Sequence, residues 1–209
     1  TGDGTTGSEL VNHEGISKIA FTGSTSVGKY IQNAVGERDI GLTLELGGKA
    51  ANIVYNDAAL DQAVEGVVNG IFFNQGHVCC AGSRLLLQED IHDEFINKLE
   101  KRMQTLRVGN PLDKNTDIGA INSKEQLEKI TSLVNEGVND GGELFQIECD
   151  LPSSGYWFRP SLFTNVQPSY NIAREEIFGP VLTTLTFRTP EEAVEIANNT
   201  EYGLSAGVW

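Results

Sequence analysis

An α/β fold built on a largely parallel sheet is what this 209-residue sequence predicts, and three observations carry that expectation. Helical apolar stripes alternate with short β-branched or leucine-rich runs. One such run, Ile16 to Thr22, passes through Gly23-Ser24 straight into a helical pattern. No internal repeat or low-complexity stretch interrupts the alternation.

In chain order, the sequence opens at Thr1 inside a glycine-rich turn, and Ile16 to Thr22 reads as a strand. Thr25 to Val35 follows as a helix, with Val27, Ile31 and Val35 on one face and Gly36 placed to end it. Leu42 to Leu46 and Ala51 to Tyr55 are short strands flanking Gly47-Gly48. Ala58 to Phe73 is predicted as a helix because Leu60, Ala63, Val64, Val67, Val68, Ile71 and Phe72 form one stripe. Arg84 to Gln88 is a strand, and a helix begins at Asp90 with Ile91, Phe95, Ile96, Leu99 and Met103 inward. Ser123 with Gln126 has the spacing of a capping box ahead of Leu127, Ile130, Val134 and Val138. Thr189-Pro190-Glu191-Glu192 opens the last helix, with proline at its first position and acids in its first turn.

Charge and cysteine usage narrow the function classes. A net charge of −14 weighs against a nucleic-acid or anionic-membrane partner, since phosphate binding draws on clustered Lys and Arg. No apolar run approaches the roughly 20 residues that span a bilayer. Cys79, Cys80 and Cys149 are odd in number and two are adjacent, a poor disulfide framework that suits a reducing compartment. His13, His77 and His92 share no ligand-like spacing with them, so no metal site is expected. The chain begins without methionine and stops after the apolar run Leu204 to Trp209, as an internal fragment of a longer protein would.

Three segments carry chemistry-bearing residues. Gly23 to Gly28 brings a helix start and its unpaired N–H groups to a glycine turn, where an anion can sit, or where a chain merely turns. Glu45, in Leu44-Glu45-Leu46-Gly47-Gly48-Lys49, is either a solvated strand-end charge or a general base in a loop that backbone can approach closely. A partly apolar setting would raise the pKa of such a carboxylate. Cys79 and Cys80 are either small core residues or, in the polar loop from Asn74 to Ser83, an accessible thiol nucleophile. Local chemistry does not separate the two thiols.

These segments, in this order, resemble the aldehyde dehydrogenase superfamily. Phe21-Thr22-Gly23-Ser24-Thr25-Ser26-Val27-Gly28 stands where that family has its cofactor turn, Leu44 to Lys49 resembles its glutamate motif, and Phe73 to Gly82 its cysteine motif. Arg174 to Val181 and Asn198 to Ser205 resemble two later signatures, so the likeness runs from end to end. Two departures stand out: His77 replaces the usual Gln or Glu, and Lys49-Ala50-Ala51 replaces a proline-containing ending.

The resemblance implies an aldehyde dehydrogenase-like fold. Residues 1–46 would be the end of a Rossmann-type cofactor domain, and residues 47–209 most of the catalytic domain. It implies oxidation of an aldehyde to a carboxylic acid with NAD or NADP, NAD being favoured. Cys79 would attack the carbonyl to give a thiohemiacetal, hydride loss would leave a thioester, and Glu45 would activate the hydrolytic water. Gly23, Ser24, Thr25, Val27 and Gly28 would line the pyrophosphate turn, and Leu46 and Gly47 would border the nicotinamide. Glu176 would hold its ribose, with Phe178 beside it and Gln126 near the same ribose. The full-length protein would be a homodimer or homotetramer in the cytoplasm or an organelle matrix. Residues 1–209 alone are expected to be inactive. A spectrophotometric assay checks this directly, because aldehyde-dependent NADH formation by the 209-residue chain would contradict the expectation.

Overall fold

Two helices and two parallel strands make the first of two units, Thr1–Gly47, in a computed structural model that describes all 209 residues. Helix α1 (Gly4–Asn12) occupies the segment expected as a glycine-rich turn. Its glycines hide it from a propensity reading, but Asp3 caps it by accepting from the Thr5 and Thr6 N–H groups, and Val11 anchors it. Strand β1 (Lys18–Thr22) alternates exposed and partly buried residues, turning Ile19 and Phe21 inward. Helix α2 (Thr25–Val35) begins at Ser24, and β2 (Gly41–Glu45) pairs with β1 from Lys18↔Gly41 to Thr22↔Glu45. The buried face of α2 is Gly28, Ile31 and Val35, whereas Val27 is 42% exposed. The predicted stripe is therefore displaced by one residue at its first position, because Gly28 lies against Leu46. Arg38 ties the connection ahead of β1 by donating to the carbonyls of Val11, His13 and Ile16.

The second unit, Gly48–Trp209, is a six-stranded sheet with helices on both faces. Its strands are β3 (Ala51–Val54), β4 (Arg84–Gln88), β5 (Glu143–Gln146), β6 (Ser161–Thr164), β7 (Val181–Phe187) and β8 (Ala206–Val208). They lie in the order β5-β6-β7-β4-β3-β8, and every neighbouring pair is parallel except β5–β6. Helices α3 (Leu60–Phe72) and α4 (His92–Met103) cover one face with Leu85, Leu87 and Leu182. Helices α5 (Lys124–Asn139), α6 (Asn171–Arg174) and α7 (Pro190–Asn198) pack in the cluster that holds Leu86, Val181 and Leu185. Central β4 reads as an uninterrupted leucine run because both of its faces are covered. No helix is long and apolar enough to cross a membrane.

The sequence-based boundaries shift slightly at several ends. A turn of 3₁₀ helix at Glu89–Ile91 precedes α4, where the sequence suggests a helix from Asp90. Only half of the capping box at α5 forms: Ser123 accepts from the Gln126 N–H, but the Gln126 side chain is used elsewhere. Val138 is exposed, and Gly137 takes the inward place against Ile172 and Phe163. At α7 the cap is as the sequence implies, Thr189 accepting from the Glu192 N–H.

Arg84 staples this unit. It is 3% exposed, and it donates to the carbonyls of Lys49 at 2.8 Å, Ile196 at 3.0 Å and Ala197 at 2.8 Å. One side chain on β4 thus fixes the entry to β3 and the end of α7. Arg84→Met keeps the length and strands those three acceptors, so a loss of about 2–4 kcal/mol of stability is expected. Chemical denaturation checks it, and an unchanged midpoint would contradict this account.

Candidate active site

Glu45 sits at the carboxyl end of β2, the end of a parallel sheet where α/β ligands bind. Its side chain is exposed rather than enclosed by apolar groups. Its carbonyl accepts from the Gly23 N–H at 3.0 Å, which ties the turn after β1 to the glutamate motif. At the start of α2, Ser24 Oγ accepts from the Val27 N–H, and the Ser24 carbonyl takes the Gly28 N–H. The Thr25 and Ser26 N–H groups have no acceptor within the helix, as at any helix start, and no acid occupies the first turn.

In the second unit, Cys79 lies in a loop with an unusual backbone. Asn74, Gln75 and Gly76 take φ of 50°, 57° and 73° in succession. Left-handed backbone costs a non-glycine residue about 1–2 kcal/mol, so the loop must be held from outside. Gln75 Oε1 accepts from the Gly119 N–H at 2.8 Å. The Asn74 carbonyl takes the His77 N–H at 2.9 Å, and Asn74 Nδ2 donates to the His77 carbonyl. Gly76 abuts the Gly179 carbonyl so closely that a Cβ would stand 2.1 Å from that oxygen. Further along, a Cβ on Gly48 would be 2.3 Å from the Cys79 carbonyl oxygen. Cys79 is half-buried, whereas Cys80 is exposed and accepts from Ser205 Oγ through its carbonyl.

The segment around Glu176 meets this loop. Glu176 Oε1 accepts from the Gly48 N–H at 2.9 Å. Phe178 has φ of 54° and stacks on His77, with ring centroids 5.3 Å apart and planes 15° from parallel. Gln126 Nε2 donates to the carbonyls of Ile177 at 2.8 Å and Phe178 at 3.0 Å. His77 Nε2 is buried without a hydrogen-bond partner, and burial pushes the imidazole pKa down. An unsatisfied polar atom of this kind costs about 1–3 kcal/mol.

Two buried cations, Lys49 and Arg84, lie next to these loops without a motif that singles them out. Lys49 is 2% exposed, and its Nζ donates to the Ile172 carbonyl at 3.0 Å. Burial, helped by the Arg84 cation and opposed by Glu176 and Glu175, lowers its pKa to about 7. A signal was present, since Lys49 directly precedes Ala50 to Val54, a run with little polar surface to receive it. The Asn198–Ser205 segment lines a cavity beside Lys49 and Arg84, with Thr200, Tyr202 and Ser205 supplying hydroxyls.

The fold and loops define an α/β protein that pairs a strand–turn–helix unit with a thiol-bearing second unit. The aldehyde dehydrogenase family matches residues 1–209, and the chain belongs to that family. It is 46% identical to human retinal dehydrogenase 2 over 209 residues, covering 98% of this chain and 40% of that protein. To human mitochondrial aldehyde dehydrogenase it is 45% identical over 206 residues, covering 98% and 40%. The NAD+ complex of a Bacillus cereus aldehyde dehydrogenase superposes with a TM-score of 0.95 at 40% identity, covering all of this chain and 43% of that one. The chain thus spans about 40% of the length of the curated relatives it matches.

The buried ammonium yields a prediction about pH. Lys49 has a pKa of about 7 when folded and 10.5 as a free side chain, so the unfolded chain binds more protons in between. Stability therefore rises with pH across that window and falls as pH drops toward 7. Lys49→Met removes this term, and its thermal midpoint should gain on the unsubstituted protein as pH falls from about 10.5 to about 7. Parallel midpoint-versus-pH curves would contradict it.

Proposed function

We propose that this chain is part of an enzyme that oxidises an aldehyde to a carboxylic acid through a thioester on Cys79. Residues 1–46 are read as the last strand–helix portion of a cofactor domain and 47–209 as most of the catalytic domain. The observation that carries the reading is the join between the Cys79 loop and the Glu176–Phe178 segment. Gly48 meets both, abutting the Cys79 carbonyl and donating its N–H to Glu176.

In this reading Cys79 adds to the aldehyde carbonyl, and the Cys79 backbone N–H helps hold the resulting oxyanion. NAD(P)+, when bound, supplies the hydride acceptor that converts the thiohemiacetal to a thioester. Glu45 then takes a proton from water, which attacks the thioester and frees Cys79. Two features support a dinucleotide. The start of α2 offers N–H groups with no acid in the first turn, which suits a pyrophosphate. Glu176 spends one carboxylate oxygen on Gly48, and its other oxygen suits a ribose hydroxyl. Gln126, whose amide nitrogen holds the Ile177 and Phe178 carbonyls, is read as the support of that ribose site. The full-length protein is read as a homodimer or homotetramer of the cytoplasm or an organelle matrix, with NAD favoured over NADP.

A carboxylate at position 45, able to take a proton from water, favours hydrolysis over transfer of the acyl group to CoA. The test uses the full-length parent protein. Cys79→Ala should lower aldehyde-dependent NADH formation by about a thousandfold or more. Glu45→Gln should still release about one NADH per site in a first burst and then turn over slowly, as the thioester accumulates. An active Cys79→Ala protein would overturn the thioester mechanism. Acyl-CoA formed on adding CoA would replace hydrolysis by transfer.

A further inference from the structure

Two strained backbones lean on each other beside Cys79. One is the left-handed run Asn74-Gln75-Gly76, the other the left-handed Phe178, and residues bearing left-handed φ persist only where neighbours over-determine them. Their contact consists of Gly76 against the Gly179 carbonyl and the His77 ring against the Phe178 ring. His77 Nε2 has no hydrogen-bond partner, so the ring's orientation owes nothing to a bond at that atom. What the imidazole does is stack.

We propose that His77 is a positioning residue, whose stack on Phe178 holds the Glu176–Phe178 segment and the Cys79 loop in one arrangement. This rests on the reading of Cys79 as nucleophile and of Glu176 and Phe178 as cofactor-facing residues. The physical route is short. Phe178 is fixed on its backbone side by Gln126 and on its ring side by His77, and His77 is two residues from Cys79. Removing the ring frees Phe178 from one of its restraints and frees the Cys79 loop from the same one. Both cofactor affinity and thiol presentation then change together. A ring that stacks equally well, but carries no nitrogen, should serve in its place.

The test compares the full-length parent with His77→Ala, His77→Phe, Phe178→Leu and the His77→Ala/Phe178→Leu double variant. Two quantities are read: the NAD+ dissociation constant by titration, and the alkylation rate of Cys79 by iodoacetamide without cofactor, followed on the Cys79 peptide by mass spectrometry. An aromatic stack is worth about two- to tenfold in an equilibrium constant. His77→Ala should therefore weaken NAD+ binding by about three- to tenfold and change the alkylation rate by a similar factor, with kcat at saturating NAD+ altered less. His77→Phe should stay within about twofold of the parent in both, and the double variant should be no worse than the worse single variant. Parent-like values for His77→Ala, equal damage from Phe and Ala, or additive losses in the double variant would each overturn the proposal. His77→Leu replaces His77→Ala if the latter does not fold. A parent that fails to bind NAD+ would sink the functional reading instead, while the cofactor-free alkylation rates would still decide whether the stack joins the two loops.

Discussion

The approach of Gly48 to the Cys79 carbonyl constrains everything around that thiol loop. With a Cβ only 2.3 Å from that oxygen, any other residue at position 48 would push the Cys79 loop away from the start of β3. The same residue's N–H meets Glu176, and its chain neighbour Lys49 reaches the Ile172 carbonyl. A two-residue stretch therefore touches the thiol loop, the carboxylate proposed to face the ribose, and α6, which precedes that carboxylate. Two segments far apart in sequence, the Cys79 loop and the stretch from α6 to Glu176, share one short piece of backbone, and the doubly covered sheet behind it supplies the rigidity.

Charge inside this unit is handled by backbone rather than by acids. Arg84 is satisfied by three carbonyls, and Lys49 by one. The difference in number matters. A guanidinium whose donors are spent on carbonyls stays charged and acts as a cross-link. An ammonium with a single carbonyl partner has little to offset its desolvation, which is why its pKa falls to about 7 while a lysine in water titrates far higher. The two cations also repel each other, so Arg84 contributes to the weakness of the Lys49 charge.

Periodicity carried most of the fold because it is a local property. The stripe from Leu60 to Phe72, the inward residues of α4 and the Thr189-Pro190 start of α7 all read directly from spacing and caps. Helix α1 is not legible in the sequence, since its glycines lower propensity and its stability comes from Asp3 and one buried valine. Strands β5, β6 and β7 are not legible in the sequence, because none is a bounded alternating pattern and β7 takes its place from pairing with the distant β4. At α5 the Gln126 side chain had two possible uses, and long-range carbonyls at Ile177 and Phe178 won over its own cap. The motif residues are legible by type, but burial of Arg84 and the His77–Phe178 stack are products of tertiary packing that no window of sequence contains.

Strain gives the last link between fold and chemistry. Four non-glycine residues have positive φ, namely Asn74, Gln75, Asn165 and Phe178, and three of them lie in the two loops that meet beside Cys79. Such backbone relaxes when isolated, so each loop alone would drift toward ordinary φ. Together they cannot relax independently: Gly76 blocks movement at Gly179, Gln75 is held by Gly119, and Gln126 holds the carbonyls of Ile177 and Phe178. The arrangement keeps a half-buried thiol loop in a conformation that its own sequence disfavours. One of the contacts that enforce it, Gly76 against the Gly179 carbonyl, comes from the end of the segment proposed to face the cofactor, so fixing that segment also restrains the Cys79 loop.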